Sequence, residues 1–566
     1  MTTLLDSVIP RTLNILLERF SSPEWTGARL EAWLFEDEPA RRDGEAKLSE
    51  FGIQARLRSA YKPLMHAFLE DGLPSGPIRL PCHRLASPDR FALEAYPLAG
   101  LMPEAPRFIP GKCELDYVLA DGTKVFAPNR PGADPLGRLT LNCCGWLRVW
   151  RAGAMVIDTA LETEFEQVFS DVLQAVAAHP WPDIQPFFPV LHIDIETGGI
   201  HRKLGLAHEC IDTQEALHED LYFSLIEMFL ARLNLPAGDR TLRPGQIVPE
   251  VRPGTGDTHA RVRIVDRLAE VPPLGPEPLE TASRALDARE INEILAGLEG
   301  ERFTATSVQG RKIHGLYRPG SLPGLVVTGG QHANETSAEP GLLRAAPLLL
   351  AEPNARLALV PLENPDGYAL HRRLCATHPH HMHHAARYTA EGCDLEARQT
   401  APFYETGARR AAIARTEARL HISLHGYPAQ EWTRPLSGYV PATFGGWTLP
   451  CGFFLILRHH PGLEAQGLAF LEALTADLAA DADLVAMNRA QLALRAAHSA
   501  PDETLLLNDI PCRMNESTRS PVPFTLITEY PDETITGSAF QQSHTVQCNT
   551  VLAAARLLWK GMLTEP

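Results

Sequence analysis

Five short apolar runs in the second half of the sequence, at 325–328, 357–362, 420–424, 453–457 and 524–528, alternate with segments of helical pattern. Runs this short that are apolar throughout are what strands covered on both faces look like. Their alternation with helices predicts an α/β fold built on a doubly wound mixed sheet, mostly parallel. Four of the five run straight into polar clusters: His332 and Glu335 after the first, Glu363-Asn364-Pro365-Asp366-Gly367 after the second, His425-Gly426 after the third and Glu529 after the last. Strands that run side by side in one direction bring such clusters to one edge of the sheet, where open α/β folds keep their ligands.

The first of these junctions reads GLVVTGGQHANETS over 324–337. An apolar strand ends in two glycines, then an imidazole and a carboxylate follow three residues apart, a pair that suits zinc. With 22 histidines in the chain, one His-x-x-Glu match carries little by itself. The weight comes from the company it keeps on the neighbouring strand ends.

Taken together and in order, GGQHANETS, ENPDGY, ISLHGY and FTLITEYP make residues 300–540 resemble the zinc metallocarboxypeptidases of the carboxypeptidase A type. The resemblance implies one zinc per chain, with His332, Glu335 and His425 as its ligands and Glu529 as the catalytic carboxylate. In HHAARYTAEGCDLEAR it implies that Arg387 is the arginine that stabilises the oxyanion and that Asp394 is the hydrogen-bond partner of the first zinc histidine. Elementary chemistry agrees with those roles. Two histidines and a carboxylate leave a fourth zinc position for water, and a carboxylate across the site can move that water's proton to the leaving amine.

The sequence departs from the family where the substrate is chosen. Members that remove C-terminal residues usually carry Asp-x-Asn-Arg, whereas this chain reads Asp394-Leu395-Glu396-Ala397-Arg398. Glu396 then becomes a candidate for an amino or guanidino group of the substrate, and Arg398, Arg434 or Arg458 for a carboxylate. The capping tyrosine that the family has before its catalytic glutamate finds no counterpart in LLLNDIPCRMNESTRS, which leaves Tyr427 and Tyr439 as candidates. The loop THPHHMHH carries His378, His380, His381, His383 and His384, and reads either as a solvated or substrate-lining loop or as a second metal site.

The first half reads as an α+β region, or a pair of small domains divided near residue 105. It shows β-α-β character over 29–60, a hairpin at 115–126 around Asp121-Gly122, a second strand pair over 146–158, and a helix with Phe165, Val168, Val172 and Val176 on one face. The strand at 188–197 sets His192, Asp194 and Glu196 on one side, a row that reads as a solvated face rather than a metal site. The segment 213–233 reads as an amphipathic helix bearing Glu215, His218, Glu219 and Asp220. Neither His218-Glu219 nor His208-Glu209 continues to a second histidine at the spacing of His-Glu-x-x-His. Proline and glycine become frequent between 234 and 280, which places a domain boundary there: residues 1–270 as an accessory region, 280–566 as the catalytic domain.

A net charge of −17 argues against a nucleic-acid partner. The amphipathic start lacks the pattern of a signal peptide, and no apolar run is long enough to span a membrane. Ten scattered cysteines without a Cys-x-x-Cys pair fit reduced thiols and a cytoplasmic location. The expectation is a zinc hydrolase, a metallopeptidase of carboxypeptidase type, that cleaves an amide bond in a small peptide or amino-acid conjugate, with the first half narrowing access or mediating self-association. The alternatives are an amidoacylase like aspartoacylase and, in another class, a non-catalytic binding protein on a retired peptidase scaffold.

Overall fold

The computed structural model describes residues 1–72, 76, 78–80, 96–102, 108–110, 116–137, 139–438, 448–496 and 504–563. They fall into two compact units. One comprises 1–267 with the described residues of 430–449 and Ala496; the other comprises 268–429, 450–495 and 504–563. The subdivision expected near residue 105 falls outside the described residues, as does Tyr439.

The second unit is built on a nine-stranded sheet in the spatial order Glu301–Thr306, Lys312–Arg318, Leu357–Val360, Gly324–Thr328, Ala418–Pro428, Phe524–Glu533, Phe454–His459, Ile510–Glu516, Leu505–Leu507. The four central strands, from Leu357–Val360 to Phe524–Glu533, are parallel. Antiparallel strands flank them on both sides, so four of the eight pairings are antiparallel and the sheet is mixed rather than mostly parallel. Phe454–His459 runs against Phe524–Glu533. That strand is the one whose apolar run leads into no polar cluster, because its carboxyl end lies at the opposite edge.

Both faces of the centre are covered, which is why its strands are apolar throughout. All five residues of Gly324–Thr328 are buried. Leu325 and Val327 pack in one cluster with Leu342, Ala346 and Leu349 of the helix Ala338–Leu350 and with Val551 and Ala555 of the helix Ser538–Trp559. Val326 packs on the other face with Ala408 and Ala412 of the helix Thr406–Thr416. Each such buried aliphatic side chain is worth about 1.5–3 kcal/mol. In Ala418–Pro428, Leu420, Ile422 and Leu424 face the first cluster, which turns His421, Ser423 and His425 to the other side.

The first unit holds three four-stranded sheets, one of them in the order Phe108–Pro110, Ile78–Leu80, Asp116–Val118, Lys124–Phe126, whose last two strands pair antiparallel. A second has the order Thr2–Ile9, Thr258–Val265, Val190–Thr197, Gln246–Pro253, and a third Ala154–Leu161, Gly145–Arg151, Arg29–Leu34, Gln54–Ser59. Arg29–Leu34 and Gln54–Ser59 are parallel and flank the helix Glu38–Glu50, the expected β-α-β unit. The helix Glu164–Ala178 starts in a capping box between Thr163 and Glu166 and buries Phe165, Val168, Val172 and Val176.

The helix Thr213–Arg232 is not amphipathic. Fifteen of its residues are buried, Glu215, His218, Glu219 and Asp220 among them. Three of these polar residues meet partners outside the helix: Gln430 Nε2 donates to Glu215 at 2.6 Å, His218 Nδ1 lies 2.6 Å from the Pro249 carbonyl, and the Leu436 amide donates to Asp220 at 2.9 Å. His192 is also buried rather than solvated, with Nε2 2.8 Å from Glu250. No helix among the described residues is long and apolar enough to cross a membrane. The eight described cysteines are free thiols.

Candidate metal centre

The chain leaves the strand Gly324–Thr328 through Gly329-Gly330, and Gly330 has φ +64°, a conformation glycine adopts without strain. A Cβ there would lie 2.6 Å from a Glu339 carboxylate oxygen. The turn that follows is closed by the Glu335 amide donating to the His332 carbonyl at 3.2 Å, and it sets both side chains on one side.

His332 Nδ1 lies 2.8 Å from Glu335 Oε1, His425 Nδ1 2.9 Å from Glu335 Oε2, and the two Nδ1 atoms are 3.1 Å apart. All three residues are buried, and among the described residues they form the only cluster of three or more His, Cys, Asp or Glu with donor atoms mutually close enough for one metal ion. Adjacent ligands of a tetrahedral zinc with bonds of about 2.0–2.1 Å stand about 3.3 Å apart, so this triangle needs only slight expansion to fit a metal. Two imidazole nitrogens aimed at each other across 3.1 Å also demand a proton or a cation between them. The donor set fits a metal ion.

The surrounding groups orient these three side chains. The Gly426 amide donates to Glu335 Oε2 at 3.0 Å, and Gln547 holds the His425 carbonyl at 2.9 Å. Asp394 Oδ2 is 3.7 Å from His332 Nε2, while its Oδ1 accepts from Gln331 at 3.2 Å and from the Glu396 amide at 2.9 Å. Arg387 Nη1 donates to Glu335 Oε1 at 2.5 Å. Asn364 of the ENPDGY turn holds that arginine's segment by donating to the Tyr388 carbonyl at 3.0 Å. Asp366 of the same turn accepts from Ser307 and from the Gln309 amide. The cluster read as a strand-end polar group is therefore a brace for the segment carrying Arg387.

Glu529 stands beside His425 in the register of the two parallel strands and shares its side of the sheet. Burial, and then the charge of Glu335, push its carboxyl well above the usual carboxylate range, with Arg387 pulling the other way. Burial also pushes Glu335 upward, but His332, Arg387 and His425 outweigh it and hold this carboxylate well below its ordinary value. Asp532 is pushed up to about 7, first by burial, although the Ser337 amide donates to it at 2.9 Å.

The remaining candidates separate. Glu396 Oε1 accepts from Arg458 Nη1 at 2.9 Å. Arg398 is committed to Glu391 and to the Pro402 carbonyl. Arg434 belongs to the first unit, where its buried guanidinium is held by Ser224 and Glu227. Tyr427 is buried with its hydroxyl on the Gly452 carbonyl, so it caps nothing. In the histidine loop, His381, His383 and His384 are buried, His378 stacks on His381 at 4.1 Å, and no metal cluster forms among the described residues. Arg409, which bridges Glu363 and Gln331 Oε1, went unrecognised in the sequence, where it is one of several arginines on a helix with no motif around it.

Neither a protein-family model nor a curated protein sequence matches the chain. Several solved structures are similar to part of it. A metallo-carboxypeptidase from Pseudomonas aeruginosa, in complex with (2-guanidinoethylmercapto)succinic acid, is 19% identical, with 55% of this chain and 73% of that one covered and a TM-score of 0.30. A metallo-carboxypeptidase from Burkholderia cenocepacia is 15% identical over 54% of this chain and 76% of its own, with a TM-score of 0.29. The carboxypeptidase A from Helicoverpa armigera is 11% identical over 60% and 95%, with a TM-score of 0.33.

Proposed function

We propose that the second unit is a zinc-dependent hydrolase that cleaves an amide bond in a small peptide or amino-acid conjugate, with His332, Glu335 and His425 as zinc ligands. The observation that carries this reading is the buried triangle of one carboxylate and two imidazole donors with Glu529 beside it. Two histidines and one carboxylate are the donor set of hydrolytic zinc sites, which keep a fourth position open. Bound there, zinc would supply Lewis acidity, polarising the scissile carbonyl and bringing the pKa of water towards neutrality.

The chain's own residues do the rest. The Glu529 carboxylate takes a proton from the attacking water and delivers it to the amine nitrogen as the C–N bond breaks. Arg387 contributes a fixed positive charge for the carbonyl oxygen, which gains negative charge on the way to the transition state. Asp394 fixes the tautomer of His332: its negative charge keeps the proton on Nε2 and leaves Nδ1 as the donor atom. A buried carboxylate held next to the donor triangle also weighs against a retired scaffold, since a binding protein has no use for it.

The test is metal content and its consequence. The purified full chain should bind one zinc per chain, lose hydrolysis of a responsive amide on treatment with a chelator, and regain it with zinc. A chain that takes up no stoichiometric zinc overturns the reading.

A further inference from the structure

Four ion-paired arginines of the second unit, Arg387, Arg398, Arg409 and Arg458, are not equally placed for a ligand. Arg398 has 6% of its side chain exposed, Arg409 13% and Arg387 17%, and each is tied to a carboxylate. Arg458 keeps 33% and its partner Glu396 keeps 30%, so of these four this ion pair stays most open to solvent.

The pair is also fixed to the metal centre. The Glu396 backbone amide donates to Asp394 Oδ1 at 2.9 Å, and Asp394 Oδ2 faces His332 Nε2 at 3.7 Å. Arg458 lies on Phe454–His459, the strand that pairs with the one carrying Glu529, and Ile456 between them in the alternation puts Arg458 and Phe454 on the same face. Phe454 is itself paired with Glu529. Burial raises the Glu396 carboxyl, but Arg458 first, together with Arg409 and His425, brings it below its ordinary value, so it is ionised at neutral pH.

An exposed ion pair discriminates between ligands by the charges they bring. A ligand with a carboxylate alone would draw Arg458 away and strand Glu396, and one with an ammonium alone would strand Arg458; an unpaired, partly desolvated charge is costly. A ligand carrying both groups on neighbouring atoms can enter between the two side chains and give each a new partner. From this, and resting on the hydrolase reading of the same site, we infer that Glu396 and Arg458 bind a zwitterionic amino-acid head, with its α-carboxylate on Arg458 and its α-ammonium on Glu396. An amino acid with both α groups free can be joined to the rest of a substrate only through its side chain. The substrate class is therefore a side-chain amide: an acyl group on a side-chain amine, or an amine on a side-chain carboxyl. Hydrolysis adds water across that C–N bond and yields a carboxylate and an amine, with the α groups untouched.

The experiment separates binding from turnover by using the full zinc-loaded chain with Glu529→Gln, in which the ligands persist. Nε-acetyl-lysine and γ-glutamyl-ethylamide represent the two kinds of side-chain amide, and each is titrated calorimetrically beside its α-carboxamide and its Nα-acetyl form. At least one of the two parents should bind about tenfold or more tightly than both of its blocked forms. Adding Arg458→Met should erase its advantage over the carboxamide, and adding Glu396→Gln its advantage over the Nα-acetyl form, with zinc content unchanged in both. Which parent prevails tells a side-chain amine from a side-chain carboxyl. Blocked forms that bind as well as the parents, or no binding by either parent, overturn the inference. Failure of the wild-type chain to hydrolyse any amide overturns the hydrolase reading instead and leaves the binding comparison to decide this one.

Discussion

His425 and Glu529 are direct partners across two parallel strands, so the same register that sets Leu424 against Thr528 puts an imidazole of the proposed metal site beside a buried carboxylate. Backbone pairing, rather than a flexible loop, thus fixes the spacing between the proposed metal site and the group proposed to move the proton. Glu529→Gln keeps the shape and removes the proton acceptor. Zinc should remain at one per chain, while kcat falls by about 10²–10⁴. Elemental analysis beside steady-state kinetics decides it: loss of zinc in the variant would make Glu529 a ligand, and unchanged kcat would make it a bystander.

The site was legible because the central strands are covered on both faces. Burial forces residues such as Leu325, Val327, Leu420 and Ile422 to be apolar, so the first polar residue after each run marks the strand's end and the ligand edge. Direction is not written in the same way. Phe454–His459 is as apolar as its neighbours at its start, yet it runs antiparallel, which depends on the path of the chain leading into it. The helix Thr213–Arg232 shows the other limit. Its polar residues looked solvent-facing because their partners, Gln430, Arg434 and Leu436, lie some two hundred positions away. A satisfied buried carboxylate and a solvated one look alike in a sequence, as Arg409 and Glu363 also show.

Asp394 links the proposed metal site to the pair proposed to face the substrate, since one oxygen faces His332 and the other accepts the Glu396 amide. Asp394→Asn can still accept that amide but loses the charge that holds a proton on His332 Nε2. Zinc affinity, measured by competition with a chromogenic chelator, should weaken about 10–100-fold. Unaltered affinity would show that the 3.7 Å approach does not couple to the metal.

Gly426 is required for space. A Cβ at this position would sit 1.9 Å from Asp532 Oδ1 and 2.9 Å from the Tyr530 carbonyl oxygen, and the Gly426 amide bonds Glu335. Gly426→Ala must therefore push apart the two strands that carry His425 and Glu529, at a cost of about 1–3 kcal/mol or more. A lowered unfolding temperature together with at least about tenfold weaker zinc binding is expected. Gly426→Ala combined with Asp532→Gly should recover part of both losses, because the nearest obstructing atoms are then gone.

Glu405 gives the second unit a pH-dependent stability away from the proposed metal site. It is buried at the start of the helix Thr406–Thr416; one carboxylate oxygen accepts the Val308 amide at 2.9 Å and the other has no partner. Burial pushes its carboxyl up from 4.5 to about 7. Between those values the folded chain holds a proton that the unfolded chain has released, so stability falls as pH rises through this window and levels off above it. Glu405→Gln keeps an acceptor for Val308 and cannot ionise. Its stability relative to wild type should be nearly unchanged at pH 4.5, rise steadily towards pH 7, and plateau at a gain of up to about 3 kcal/mol. Chemical denaturation of both chains at a series of pH values measures the difference, and a difference that stays constant from pH 4.5 to 8 would show that Glu405 is already ionised in the folded chain.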